Sequence, residues 1–353
     1  MTDVDGGIAN LKPLEQAREQ KAWYWYDWAN SAYTTTIGTV FFGPYFINLA
    51  ENAVGGEDGR FEVAGLSLPP DSLFFWLITV STILSALVLP PLGAYADRVA
   101  NKKRLLATLA WNGSFFAALI FFATGDNWQL AAFAIVCSSV LAGCSLVSYY
   151  AILVDVSTED ERDRVSSRGW AFGYLGGGTL LLLNLVVVLG HDALGLGTEL
   201  AVRISLLSAA VWWAGFTIIP FVRLRNRAPL YVVEESGGLV SRSFGQLWAT
   251  LKELRNYPMT LTFLVAYVFY NDGIQTVIYA ASTYGSKQLE FGDSVLIATI
   301  LLIQFVAFGG ALFFGRLAGR YGAYRAILGG TFAWMVIVVV GSCCQVRNSV
   351  LGS

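Results

Sequence analysis

The sequence predicts an all-α polytopic membrane protein made of two related helix bundles, a complete first bundle of six helices and a partial second bundle of three. Three observations predict it. Apolar residues are 55% of the 353 and charged residues only 14%, against about 25% charged in soluble domains, and mean hydropathy is +0.56. Nine stretches approach the length of about 20 apolar residues that a bilayer crossing requires. A loop pattern of glycine, alanine three on and arginine five on also occurs twice, at Gly93–Arg104 and at Gly315–Arg325.

The nine spans follow from the apolar runs: Trp28–Ala50, Ser72–Ala96, Leu105–Ala123, Gln129–Leu153, Trp170–Leu189, Leu200–Val222, Met259–Thr283, Ser294–Phe314 and Ala326–Gln345. With the N-terminus inside, 19 of the 23 basic residues fall in cytoplasmic segments; only Arg60, Arg203, Lys287 and Arg347 lie elsewhere. Basic side chains stay on the cytoplasmic side during insertion, so this bias sets the orientation, and one miscounted helix would destroy it. The chain thus divides into a cytoplasmic N-terminal segment (1–22), a first bundle (23–222), a cytoplasmic linker (223–258) and a partial second bundle (259–353). A net charge of −2 and scattered loop Arg and Lys leave no groove for nucleic acid.

The first segment is polar and shows no cleavable signal peptide. In the first span Asp27, Asn30, Ser31 and Thr34 form a polar set, joined by Thr35 and Thr36. Asp27 stands near the cytoplasmic end, flanked by Trp23, Trp25 and Trp28, which read as interfacial anchors. Two roles fit it: a first-turn carboxylate favoured by the helix N-terminus, or a gating group. The outer loop 51–71 is acidic and bears Gly and Pro. At the end of the second span, Gly93 permits close helix approach, Asp97 and Arg98 stand at the membrane edge, and Lys102 and Arg104 follow inside. Their recurrence around Arg320 reads as a charged latch between bundles in a rocking cycle.

The fifth span carries Gly169, Gly173 and Gly177 at fourfold spacing, a close helix-packing face rather than a phosphate loop. In the linker, Phe244, Leu247, Trp248, Leu251 and Leu254 recur at helical spacing, the pattern of an amphipathic helix at the membrane surface or docked on the bundle. Cys137, Cys144, Cys343 and Cys344 all fall in spans, where they read as small buried hydrophobes without metal or disulfide spacing.

Asp272 is the strongest single residue. It lies about 20 Å into the seventh span, where a carboxylate costs about 2.5–3.5 kcal/mol unless paired, protonated or facing water. Gln275 and Tyr279 share its helical face and Asn271 adjoins it, which gives a solute- or proton-binding set or, more plainly, a polar helix–helix contact. Tyr26, Asn30, Ser31, Ala32 and Thr35 match Tyr267, Asn271, Asp272, Gly273 and Thr276 at a constant offset, suggesting two equivalent helices around one cavity. The lone histidine, His191, sits in an outer loop beside Asp192. No cluster for a metal or a triad exists, so no enzyme, metal or cofactor is expected.

Gly93-x-x-Ala96-Asp97-Arg98-x-x-x-Lys102-x-Arg104 resembles the cytoplasmic loop motif of the major facilitator superfamily. Tyr26-Asp27-Trp28-Ala29-Asn30-Ser31-Ala32-Tyr33 and Tyr270-Asn271-Asp272-Gly273 resemble the vacuole effluxer family within it. The resemblance implies a major-facilitator-type fold of two six-helix bundles, with alternating access around a site lined by the first, fourth, seventh and tenth spans. It implies secondary transport of a small organic solute, amino acids foremost. The midplane carboxylate of Asp272 adds proton coupling as an expectation, and the cell (plasma) membrane with its lipids is the expected location. Two departures stand out: Gly319 replaces the acidic residue of the second loop, and the pattern expects three further spans. The alternatives are a truncated, non-transporting membrane scaffold or a facilitator for another solute class such as a drug, sugar or lipid.

Overall fold

The computed structural model describes residues 13–56, 58–63, 66–227, 245, 248–250, 252–287 and 293–351, of which the side chains at 63, 66, 275–287, 293–294 and 341–351 are left aside. It is built almost wholly of helices. The first is a single uninterrupted rod: α1 (Pro13–Tyr33), a π-helical segment Thr34–Phe41 and α2 (Phe42–Val54). Gly55, at φ 83°, ends it in the left-handed conformation that glycine adopts without steric cost. A short antiparallel hairpin, β1 (Phe61–Val63) and β2 (Leu66–Leu68), follows where the sequence reads only as loop, and Phe61 sets it edge-on against Trp128.

Five further helices complete the first bundle: α3 (Pro70–Ala96), α4 (Lys102–Leu119), α5 (Trp128–Val156), α6 (Arg162–Leu189) and α7 (Thr198–Arg223). Beyond the linker come α8 (Pro258–Lys287), α9 (Asp293–Tyr321) and α10 (Ala323–Leu351). Among the described residues seven helices, α3 to α7, α9 and α10, are long and apolar enough to cross a membrane. The remaining two expected spans coincide with the α1–α2 rod and with α8. Three helices outrun their apolar runs: α1 begins 15 residues before Trp28, α6 begins eight before Trp170, and α9 continues to Tyr321. Polar helical turns therefore project past the ends of those runs.

α1 lies at the centre of the first bundle, packed between α6 and α7; α4 packs on α5 and α7, and α3 on α5. α9 lies along α6 and joins the halves, with α10 on α9. The buried core is accordingly in the first bundle: Trp23, Tyr26, Ile37, Phe46, Leu106, Tyr149, Leu181 and Trp213 are all nearly inaccessible. Helices α3, α8, α9 and α10 present long apolar faces outward, among them Phe75, Leu87, Phe269, Val306 and Phe332. In a bilayer such surface needs no burial, because lipid tails solvate it.

The linker's amphipathic pattern falls largely outside the described residues; of its apolar positions Trp248 is exposed and Leu254 opens a 3-10 turn to Asn256. Cys137 and Cys144 are free thiols within α5, half-buried and buried, while the side chains of Cys343 and Cys344 lie outside the description.

Candidate functional site

The site is organised by the glycines of α6. The spacing of Gly169, Gly173 and Gly177 predicts a helix-packing face, and the partner is α1. A methyl group added at Gly176 would stand 2.5 Å from the Trp28 carbonyl oxygen and 2.9 Å from its Cα. At Gly173 it would meet Ser31 Oγ at 2.5 Å, and at Gly169 the Trp23 ring at 2.5 Å. Only glycine lets the two backbones come this close, and that proximity encloses the polar residues of α1.

Asp27 is therefore buried, with 6% of its surface exposed. The helix starts at Pro13, so Asp27 occupies a mid-helix position and not a first turn; that expectation is corrected, because α1 extends well past the apolar run. No ion pair of Asp27 occurs among the described residues. Tyrosines surround it instead: Tyr149 faces the carboxylate, and Tyr26, Tyr150 and Tyr174 lie within electrostatic range. The Tyr149 hydroxyl, Trp28 Nε1 and Asn30 Oδ1 are all buried without a well-formed hydrogen bond. Buried polar atoms in this state are few in native proteins and call for an explanation.

The tryptophans also differ from their expected role. Trp23 is 1% exposed, stacks on Tyr149 with centroids 4.1 Å apart and planes within 5°, and donates from Nε1 to the Tyr149 carbonyl at 2.9 Å. Trp25 stacks on Phe216 and Trp28 on Trp212. They fasten α1 to α5 and α7 inside the bundle instead of anchoring it at the interface. Tyr26 donates to Ser145 Oγ at 2.5 Å, which passes the bond on to the Ala142 carbonyl at 2.7 Å.

Further along the rod, Asn30 is buried, Ser31 half-buried and Thr34 exposed, its hydroxyl bonded back to the Asn30 carbonyl at 3.2 Å. The three threonines open the π-helical segment. Such segments concentrate at functional sites, since the wider turn weakens the ladder of i to i−4 bonds. Thr35 accepts a bond from Gln304 Nε2 of α9 at 2.7 Å, a buried side-chain link between the two halves. Gln304 is absent from the residues that sequence reasoning singles out, although a lone amide in an apolar span is itself a signal.

On α8, Asn271 is half-buried and Asp272 exposed. Gln275 and Tyr279 continue the same helix, and their side chains lie outside the described residues. Asp27, Asn30 and Ser31 thus share α1, Thr35 follows in the π-helical segment, and among the described residues Gln304 of the second half bonds to Thr35 while Asp272 is exposed.

The charged loop motif divides in a similar way. Lys102 is almost fully buried and pairs with Asp155 at the end of α5 at 2.9 Å, while Lys103 donates to the Leu224 carbonyl at 2.7 Å. Both tie helices within the first bundle, which corrects the reading of Lys102 as part of a latch between bundles: its side chain points back across α5. Asp97 caps the end of α3 and is exposed, as is Arg104; a methyl group added at Gly93 would make only an ordinary 3.7 Å contact with Val147, so the helix approach expected there does not require glycine. Arg320 lies over the ring of its neighbour Tyr321 at 5.5 Å.

A second charged cluster was not foreseen. Glu19 is 3% exposed and holds Arg227 at 2.5 Å and Arg225 at 3.6 Å, with Glu15 reaching Arg225 at 3.3 Å. Gln16 donates to Glu161 at 3.0 Å and Gln20 to the Val156 carbonyl at 3.1 Å. The first turns of α1 are thereby fastened to the start of the linker and to the α5–α6 connection. Between 136 and 210 residues separate these partners in sequence, so no local pattern announces them. His191 contacts Asp192 at 3.2 Å and the Leu196 carbonyl within its own loop. Among the described residues no group of three or more His, Cys, Asp or Glu is placed to hold a metal.

These features define an all-α polytopic membrane protein of the major facilitator fold. A crystal structure of a bacterial homologue of the human lysosomal transporter Spinster, inward-facing and unoccupied, superposes with a TM-score of 0.52 at 14% identity, over 90% of this chain and 64% of that one. The family described as vacuole effluxer Atg22 like matches residues 15–160 and 154–352, and the chain belongs to it. The uncharacterized MFS-type transporter YxiO of Bacillus subtilis is 29% identical over 325 residues, 91% of this chain and 72% of that protein. Autophagy-related protein 22 of Cryptococcus neoformans is 29% identical over 186 residues, 50% of this chain and 33% of that protein. The chain thus spans about a third of the fungal relative's length.

Proposed function

We propose that this chain transports a small organic solute by alternating access, and that Asp27 couples the movement to protons. The observation that carries this reading is the enclosure of Asp27: a carboxylate inside a helix bundle, with no cation paired to it among the described residues, on the rod whose π-helical segment bonds to Gln304 of the second half. Intramembrane carboxylates are costly and are retained where they bind protons or solute. Trp28 Nε1 and Asn30 Oδ1, buried on the same helix without a partner, suit a water or a solute group. Amino acids are the solute class that the vacuole effluxer family favours, with Asp272, Asn271, Gln275 and Tyr279 of α8 as solute-facing residues. The basic-residue bias supports a cytoplasmic N-terminus, and a cell membrane is the proposed location.

Proteoliposomes containing the purified chain test the proposal with labelled amino acids and an imposed pH gradient. Wild-type protein is expected to accumulate solute, and Asp27→Asn to exchange solute without responding to the gradient. Gradient-driven accumulation by Asp27→Asn would remove the coupling, and failure to move any amino acid would remove the solute class.

A further inference from the structure

Tyr149 of α5 stands where the aromatic fastening of α1 meets its enclosed carboxylate. We propose that Tyr149 is a positioning residue for Asp27, its hydroxyl fixing the carboxylate in the orientation that takes up a proton. The inference rests on the reading of Asp27 as the coupling group and adds a second residue to it. Trp23 and Asp27 are four residues apart and share one face of α1. The Tyr149 ring stacks on Trp23 at 4.1 Å, and its backbone carbonyl accepts the Trp23 Nε1 bond at 2.9 Å. Ring and main chain are thus tied to α1 one turn before the carboxylate. The Tyr26 ring lies against it at 5.1 Å, and Tyr149 as a whole is 1% exposed.

The hydroxyl end is equally confined. A methyl group at Gly169 would stand 2.9 Å from the Tyr149 hydroxyl oxygen, so the bare backbone of α6 makes the notch that holds it. Buried tyrosine hydroxyls usually find a partner. Asp27 is the acceptor that this one faces, and no other described group takes it. The other titratable groups around Asp27 are tyrosines too: Tyr26 on its own helix, Tyr150 on α5 and Tyr174 on α6, with Tyr267 of α8 in range of Tyr150. α7 brings the rings of Trp212 and Phe216 to this stretch of α1. Among the described residues Tyr149 is the one within hydrogen-bonding reach of the carboxylate, and Tyr26 donates its hydroxyl to Ser145 instead. A hydroxyl that donates to one carboxylate oxygen orients the group and leaves the other oxygen to carry the proton.

Removing one oxygen from either of two neighbouring tyrosines tests this, because Tyr149→Phe and Tyr26→Phe both keep their rings. Infrared difference spectra between neutral and acid pH need no transport, and identify the Asp27 carboxylic carbonyl as the band that Asp27→Asn removes. In Tyr149→Phe that band is expected at higher wavenumber, since its oxygen loses a donor; in Tyr26→Phe it is expected in place. In proteoliposomes Tyr149→Phe is expected to lower gradient-driven accumulation of labelled amino acids about tenfold while exchange continues, as fits the loss of one hydrogen bond to a charged group. Tyr26→Phe is expected to accumulate them as wild type does. A band or an accumulation unchanged in Tyr149→Phe, or equal changes in both variants, overturns the proposal. If Asp27→Asn removes no band or keeps its response to the gradient, the coupling reading itself falls, and the positioning role falls with it.

Discussion

α1 and α8 carry the same polar pattern at a constant offset, Asn30-Ser31 in one and Asn271-Asp272 in the other, yet their surroundings are opposite. α1 is enclosed by α6 and α7, approached to backbone contact through glycines, and ringed by aromatic side chains. α8 is exposed along most of its described length, and a side chain at Gly273 would meet nothing within 4 Å. In α1 the acid stands four residues earlier, at Asp27, and is buried; in α8 it stands at Asp272 and is exposed. The repeated pattern therefore fixes where polar groups occur, while the neighbouring helix decides whether they are locked in place or left exposed.

The comparison can be broken most sharply at the foot of α1. Glu19→Ala leaves Arg227 buried without its partner, and removing one member of a buried pair costs about 3–5 kcal/mol. Glu15→Ala, in a half-exposed pair with Arg225, is expected to cost about 0.2–1 kcal/mol. Chemical denaturation in detergent measures both, and equal effects would mean that the Glu19 cluster is not a structural fastening.

Next come the glycines. Gly176→Ala forces a methyl group onto the Trp28 backbone, and overpacking of this kind costs about 1–3 kcal/mol. Gly273→Ala in α8 meets open space and gains about 0.8–1.0 kcal/mol of helix propensity. Opposite signs in paired thermal melts are the expected outcome; matching signs would show that α8 is as tightly packed as α1.

Removing the hydroxyl in Tyr26→Phe deletes the bond to Ser145 and is expected to cost about 1 kcal/mol. Smallest of all is Gln304→Leu, which breaks the bond to Thr35 between the halves. Interhelical hydrogen bonds in membranes average about 0.6 kcal/mol. Its stability effect should be near the limit of detection, whereas crosslinking between cysteines placed on α6 and α9 should change if this bond holds the halves in register. Unchanged crosslinking would reduce Gln304 to a satisfied polar residue.

Much of the architecture was legible in the residues. The apolar runs locate the seven described helices that are long and apolar enough to cross a membrane, because lipid imposes length, and the Gly169, Gly173 and Gly177 spacing marks a packing face because close backbone approach has few other solutions. What the sequence could not disclose is the identity of neighbours. Trp23 and Trp28 have the composition of interfacial anchors, and only the position of Tyr149 and Trp212 shows that they face inward. The Glu19–Arg227 pair joins residues 208 apart in sequence, and no periodicity spans that distance. Asp27 illustrates the limit: its residue type was evident, but its enclosure depends on α6 lacking side chains at the facing positions.

The π-helical segment has one further consequence. Each π turn takes in an extra residue, and at 3.6 residues per turn one residue amounts to about 100° of rotation. Across Thr34–Phe41 the rod therefore changes phase, and its two ends are keyed to different sets of neighbours. Asp27 and Ser31 point at α6 below the segment, while above it Phe42 stacks on Phe46 and packs against Phe74 of α3. α8 is α-helical throughout and has no such offset. If the widened turn moves by one residue along the rod, only the residue it passes changes face, while the lower end stays docked on α6 and the upper end on α3. A single polar position of the threonine run would then turn without the bundle around it having to come apart.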